Sequence, residues 1–318
     1  MWFFFCSRQY LPPLQFQNDY HFLSYPDDIF MGKSHRVFSK NLFSAYKTLK
    51  FLEKTIRTLF CSNDFFLYTP NCLAMDFESA AVTMKLCKGF YLLEEGSGSY
   101  KSAKDLPEFA YGWKKAVFKF IVKPLFYRFY ALRGSFFETG HKKYRGTVAV
   151  SKLAFPQTGG EHILVSNPFM KQYIDTIPDA VLSVDASLDM FFTIDEIEYI
   201  YRKINEHCKQ NGIKVLAYKF HPDYYSDKTL MNQYRNLIEK VFVMKTIELS
   251  SDVAIENILN TYHADFYSDF SSVAIYADTM GVNCYSYADL LNNKFHNKEY
   301  EKSISKFPAF IRNKYQFI

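Results

Sequence analysis

Residues 213–222 read IKVLAYKFHP: an apolar run from Ile213 to Phe220 that stops at His221-Pro222. A short apolar run closed by a turn signal reads as a buried strand, and proline commonly ends one. In an open α/β sheet, ligands collect at the carboxyl ends of the strands. An imidazole placed there is a candidate for chemistry. His-Pro alone is an ordinary turn, so the reading depends on what surrounds it.

The surroundings alternate strand and helix. Ala180–Val184 reads as a strand, and Thr193-Ile194-Asp195-Glu196 opens a helix with a capping box that runs to about Asn211, before Gly212. After His221 the pattern predicts a helix over Leu230–Glu239, a strand over Val241–Met244 and a helix over Asp252–Tyr262. A strand over Ala264–Ser268, a helix over Val273–Met280 closed by Gly281, and a strand over Val282–Tyr287 follow. Such repetition is the signature of a parallel sheet covered by helices.

The first half repeats it less regularly. Trp2–Cys6 reads as a strand, Phe43–Phe60 as an amphipathic helix, Phe65–Tyr68 as a strand, and Ser79–Cys87 as a helix closed by Gly89. Phe90–Leu93 is a further strand, delivering Glu94-Glu95-Gly96. A polar loop over Gly140–Gly146 and strands over Thr147–Val150 and His162–Ser166 follow. The character shifts between Ile174 and Pro178, which places a domain boundary at 176/177 and gives domains 1–176 and 177–318.

Between these lies Ala110–Arg133, where Trp113, Phe118, Phe120, Phe126, Tyr127, Phe129 and Tyr130 alternate with Lys114, Lys115, Lys119, Lys123, Arg128 and Arg133, Pro124 marking a break. A basic aromatic helix can lie at a membrane interface, and it can equally pack its rings inward and solvate its charges. Both readings stand at this point.

At 318 residues, 48% hydrophobic and 22% charged, the chain can bury a sizeable core in two domains. The net charge of +5 permits an anionic ligand or a membrane surface but lacks the dense basic character of a nucleic-acid binder. No RNP-like or KH-like motif is present. The six cysteines (Cys6, Cys61, Cys72, Cys87, Cys208, Cys284) form no CxxC pair, which reads as a reducing compartment and no structural zinc. No apolar run reaches the roughly 18 residues that span a bilayer. Trp2–Cys6 is too short for a secretory signal. The expected location is the cytoplasm.

Three sites therefore fall at strand ends. Glu94-Glu95, before the turn at Gly96, offers a carboxylate able to act as a general base. Ser271-Ser272 caps the Val273–Met280 helix, and the free N–H groups of a helix start also bind anions. His221 could donate a charged hydrogen bond or a proton to a departing oxygen.

The order Glu94-Glu95-Gly96, His221-Pro222, Ser271-Ser272 resembles the acidic-acidic-Gly, His-Pro and Ser-Ser motifs of bacterial CMP-sialic acid-dependent sialyltransferases of capsule and lipooligosaccharide synthesis, glycosyltransferase family 52 and the related polysialyltransferases. Lys219, two before the histidine, and the acidic helix Thr193–Ile204 add to the likeness, which covers roughly 90–287. The chain departs from the pattern in reading Lys-Phe-His-Pro, and it lacks the family's opening strand and Thr-Pro-x-Gln turn. The resemblance implies an α/β GT-B fold with two Rossmann-like domains facing across a cleft, CMP-sialic acid as donor, inversion, and no metal or other cofactor. It implies that Glu95 deprotonates the acceptor hydroxyl, with Glu94 and Gly96 on the acceptor side, and that His221 assists phosphate departure. It further implies that Ser271, Ser272 and Pro222 meet the CMP phosphate, that Glu248 meets the ribose or cytosine, and that Lys219 is either structural or a phosphate contact. The acceptor would be a terminal sugar, galactose foremost, of an oligosaccharide or lipid-linked glycan, with peripheral membrane contact through 110–133 and an oligomer left open. Other readings are a CMP-Kdo transferase or another GT-B enzyme, and a non-catalytic member of a polysaccharide-assembly complex.

Overall fold

A computed structural model describes residues 50, 53–54, 56–58, 64–70, 72, 76–94, 96–102, 106, 116–125, 127–132, 136–156, 158–165, 169–185 and 188–318. They fall into two compact units, Met1–Ser166 and Asn167–Ile318.

The first unit carries a four-stranded parallel sheet in sequential order: β1 (Phe65–Thr69), β2 (Cys87–Leu93), β3 (Tyr144–Ala149) and β4 (Glu161–Leu164). Register places Leu67, Thr69, Phe90, Leu92, Thr147 and Ala149 on one face, and all six are buried. Helix α1 (Asp76–Thr83) crosses between β1 and β2 and buries Ala80, Ala81 and Val82.

The second unit is a six-stranded sheet of β5 (Ala180–Val184), β6 (Val215–Phe220), β7 (Lys245–Glu248), β8 (Asp265–Ser268), β9 (Cys284–Ser286) and β10 (Gln316–Phe317). The order is β10-β9-β8-β5-β6-β7, every pairing parallel. Read from β7, this is third, second, first, fourth, fifth, sixth: the doubly wound Rossmann order, with its switch point between β5 and β8. Two successive parallel α/β units are the composition of a GT-B chain.

Helix α2 (Ile194–Gln210) shows how the sequence dictates its element. Glu196 N–H donates to Thr193 Oγ1 at 3.4 Å and Thr193 N–H donates to Glu196 Oε2 at 2.7 Å, the reciprocal box that satisfies two orphan donors. Ile197, Ile200, Tyr201, Ile204 and Cys208 follow at helical spacing and are buried on the sheet side. Asn211 then caps and Gly212 turns at φ 70°. Helices α3 (Lys228–Val241), α4 (Ile255–Tyr262), α5 (Val273–Thr279), α6 (Ala288–Phe295) and α7 (Lys298–Ile304) follow, with short helical turns at Leu188–Phe191 and Ala309–Arg312.

Several expectations are corrected. The division falls at 166/167, not 176/177. Residues 169–174 belong to the second unit because Met170 and Gln172 N–H donate to Asn257 Oδ1 and Thr261 Oγ1 of α4, at 3.1 and 2.7 Å, and Ile174 N–H donates to Tyr262 Oη at 2.8 Å. The expected helix to Cys87 ends at Thr83, and Cys87–Gly89 already lie in β2. Gly89 is no helix stop: the Arg145 side chain crosses it so closely that a Cβ would collide with Arg145 Cγ. The strand expected over Val241–Met244 is instead the end of α3 and a turn, because Val241 and Phe242 are buried with the helix face, and β7 starts at Lys245. Pro124 does not break its helix. A π turn, Phe118–Val122, directly precedes it, and the wider turn accommodates a ring without an N–H.

The strand expected over Trp2–Cys6 lies outside the described residues. Of the 43–60 helix, Lys50, Glu53, Lys54 and Ile56–Thr58 are described and helical. Among the described residues no helix is long and apolar enough to cross a membrane.

Candidate functional site at the carboxyl edge of the second sheet

Pairings of Val184 with Phe220, Tyr218 with Glu248 and Leu182 with Tyr267 bring the ends of β5, β6, β7 and β8 to one edge. His221, Glu248 and the Asp269–Ser272 turn therefore share that edge, as the sequence led us to expect.

His221 leaves β6 with its N–H donating to Val184 O at 3.0 Å. Pro222 starts a 3₁₀ turn over Pro222–Ser226, so the side chain is held at a strand-to-turn corner and remains exposed. Its Nδ1 lies 3.3 Å from the Asp223 backbone N and 3.3 Å from an Asp223 carboxylate oxygen. As neutral imidazole it accepts from the amide; as imidazolium it donates to the carboxylate. Either way Nδ1 is engaged, leaving Nε2 for a ligand.

The Ser271-Ser272 turn corrects the capping expectation. Ser272 occupies the N-cap of α5 but its hydroxyl caps nothing; instead Val273 N–H donates to Ser271 Oγ at 3.2 Å. Tyr315 fixes the turn from below. Its hydroxyl accepts Ser271 N–H at 2.9 Å, donates to Ser271 O at 3.2 Å, and lies 2.8 Å from Ser268 Oγ. Because one hydroxyl meets both ends of the residue, Ser271 cannot rotate freely. Helix α5 itself is two turns long.

Lys219, on the face of β6 opposite Tyr218 and Phe220, is buried. Its ammonium donates to the carbonyls of Ser251, at 3.3 Å, and Val253. Burial lowers its pKa, partly offset by Glu256 and Asp252. Of the two readings left open for it, the geometry gives the structural one: it ties down the loop between β7 and α4.

Glu248 closes β7 in a bidentate pair with Arg235 of α3, at 2.7 and 2.7 Å, and accepts from Tyr218 Oη at 3.2 Å. The Arg235 hydrogen bonds hold its carboxyl below the usual range. Arg235 in turn lies 5.6 Å from the centre of the Phe220 ring. A nucleotide contact by Glu248 would add to this pair or displace it.

Two residues that the sequence reading passed over sit at the switch point itself. Asp185, directly after β5, accepts from Asp269 N–H at 2.8 Å, Ser183 Oγ at 2.7 Å and Tyr287 Oη at 2.8 Å. Asp269, directly after β8, is buried and accepts from Tyr300 Oη at 2.6 Å, while its carbonyl accepts from Ser286 Oγ at 2.6 Å. Burial raises the Asp185 carboxyl; burial first, and then the charge of Asp185, push Asp269 up to about 7. The available signal was position: each is the first residue beyond a strand that flanks the switch point.

In the first unit, Glu94 is turned inward. Its Oε2 accepts from Val150 N–H at 2.7 Å and Ser151 N–H at 3.2 Å, and Oε1 accepts from Tyr100 Oη. It therefore splices the end of β2 to the end of β3. Gly96 follows with φ 51°, a left-handed turn that favours glycine. Glu95 lies outside the described residues. Within 110–133, Val117, Phe120, Ile121 and Tyr127 are exposed beside Lys119 and Arg128.

No family model and no curated protein matches the chain. Among solved structures it is similar to the GtfA/B complex (9% identity, TM-score 0.35), the alignment covering 76% of this chain and 45% of that one. It is also similar to Anabaena HepE in complex with UDP (11% identity, TM-score 0.32), covering 83% of this chain and 78% of that one. The chain thus spans less than half of the GtfA/B chain it matches.

Proposed function

We propose that the chain is a glycosyltransferase, specifically an inverting sialyltransferase that moves sialic acid from CMP-sialic acid to a terminal sugar, galactose foremost, of a bacterial capsule or lipooligosaccharide. The observation that carries this reading is the convergence of His221 and the Ser271–Ser272 turn at one carboxyl edge of a Rossmann-ordered sheet, on either side of β5. The resemblance of the Glu94-Glu95-Gly96, His221-Pro222 and Ser271-Ser272 motifs supplies the donor class.

In this reading Ser271 and Ser272 bind the CMP phosphate and His221 Nε2 faces the bridging oxygen. Glu95 takes the proton of the acceptor hydroxyl as its oxygen bonds to the anomeric carbon. The bond from that carbon to the phosphate oxygen breaks with its electrons on CMP, where a hydrogen bond or proton from His221 offsets the new charge. Glu94, which accepts from the Val150 and Ser151 amides, ties the end of β2 to the residues that follow β3. Peripheral contact of 110–133 with anionic lipid would bring a lipid-linked acceptor to the enzyme.

The test is CMP release by the purified chain from CMP-sialic acid and from CMP-Kdo, over galactose-terminated and sialylated acceptors. Release from CMP-sialic acid that needs an acceptor supports the reading. Release from CMP-Kdo alone replaces the donor, and release from neither overturns it.

A further inference from the structure

The Asp185–Asp269 pair is not required by the transfer chemistry, yet it joins the two strands that flank the switch point. The two carboxyls come from the strands flanking the switch point, and the amide of one is hydrogen-bonded to the carboxylate of the other. They differ in their donors. Asp185 receives three, from the Asp269 amide, Ser183 and Tyr287, which favours its anion. Among the described residues the Asp269 carboxylate receives one, from Tyr300.

We propose that Asp185 and Asp269 are positioning residues forming a protonation-sensitive clasp. With Asp269 protonated beside the Asp185 carboxylate, the Asp269–Ser272 turn is fixed; with both carboxyls charged it is released, and capture of an anionic ligand by Ser271 and Ser272 weakens as the medium turns alkaline. The capture clause rests on the reading above that these serines meet the donor phosphate.

The physical reason is repulsion at a hydrogen bond. When both carboxyls are charged in a desolvated site, Asp269 is driven from Asp185 while its own amide is held there at 2.8 Å. Asp269 is two residues from Ser271, so the strain falls on the turn. The titration of Asp269 up to about 7 sets the range.

Other titratable groups face the pair from the neighbouring elements: His221 after β6, Tyr224 on the 3₁₀ turn that follows it, Asp189 bonded to Tyr224, Tyr201 on α2, Tyr234 on α3, Tyr287 before α6, Tyr300 on α7 and Tyr315 before β10. Burial raises every one of these tyrosines, so they keep their protons near neutrality. His221, whose charge also acts on the Asp185 carboxyl, is tested by substitution.

Hydrogen exchange of the unliganded full chain decides the matter. Protection of the Asp269–Ser272 amides is measured from pH 6 to 8.5 and corrected for intrinsic exchange. In the wild type it should fall about tenfold through neutral pH. Asp269→Asn should keep its protection across the range, and His221→Gln should keep the wild-type transition. Tyr300→Phe, which preserves the ring packing and removes a donor that favours the anion, should move the midpoint upward. A wild-type protection that does not change with pH, a transition surviving in Asp269→Asn, or one abolished in His221→Gln would overturn the clasp. Calorimetric titration with CMP in the same samples separates the two readings. Affinity that falls with protection supports both, whereas CMP binding at no pH overturns the donor reading and the capture clause while exchange still decides the clasp.

Discussion

His221 is the residue at which function and stability should come apart. Its side chain is exposed, and its contacts are to its own turn at Asp223. We expect His221→Ala to lower acceptor-dependent CMP release about 10²–10³-fold while shifting unfolding by less than about 0.5 kcal/mol. A drop in release matched by an equal loss of folded protein would refute the assignment. Asp269 is the converse case. Its folded pKa is raised from 3.8 to about 7, so between those values the folded chain holds a proton that the unfolded chain has released. Stability from this group is fully present below the unfolded value, falls by about 1.4 kcal/mol per pH unit across the window, and levels off above about 7. Asn does not titrate. The stability of Asp269→Asn relative to wild type should therefore rise with pH up to about 7 and then stay level, as read by urea unfolding at pH 5, 6, 7 and 8. A difference that does not vary with pH would rule this out.

Among the elements, the loop between β7 and α4 depends on one buried ammonium. Lys219→Met keeps the stem and removes the donor, leaving the carbonyls of Ser251 and Val253 without it. The expected cost is about 1–3 kcal/mol in chemical unfolding, with CMP affinity changed only modestly. A large loss of CMP affinity at unchanged stability would restore the phosphate-contact reading. How far the elements could be read from the sequence follows the strength of the local signal. Helix α2 was legible from Thr193 to Asn211 because its capping box and its apolar spacing agree. β7 was misplaced because Val241-Phe242-Val243 is as apolar as a strand, and only tertiary packing makes Val241 and Phe242 the buried end and cap of α3 while Val243 is left exposed. His221 and the serines were legible because turn chemistry marks strand ends. Asp185 was not, since a single acid after an apolar run also reads as a loop, and its partner lies 84 positions away.

For the whole molecule, the boundary at 166/167 makes a prediction about fragments. A fragment of 167–318 keeps the strap 169–174 on α4, whereas one of 177–318 loses the hydrogen bonds to Asn257, Thr261 and Tyr262. At about 0.5–1.5 kcal/mol each, the longer fragment should unfold at a clearly higher urea concentration; equal midpoints would return the boundary to 176/177. The order β10-β9-β8-β5-β6-β7 has a further meaning for synthesis on the ribosome. The turn bearing Ser271 and Ser272 is tied to Asp185 through Asp269, to Tyr300 likewise, and to Tyr315 directly, so its anchors span 130 positions of chain. A nascent polypeptide arrested after Phe295 can already build α2, β6 and His221, yet it lacks the two hydroxyls that set the serines. Translation must therefore deliver Tyr315 beyond the exit tunnel before the emerging protein can set the Ser271–Ser272 turn.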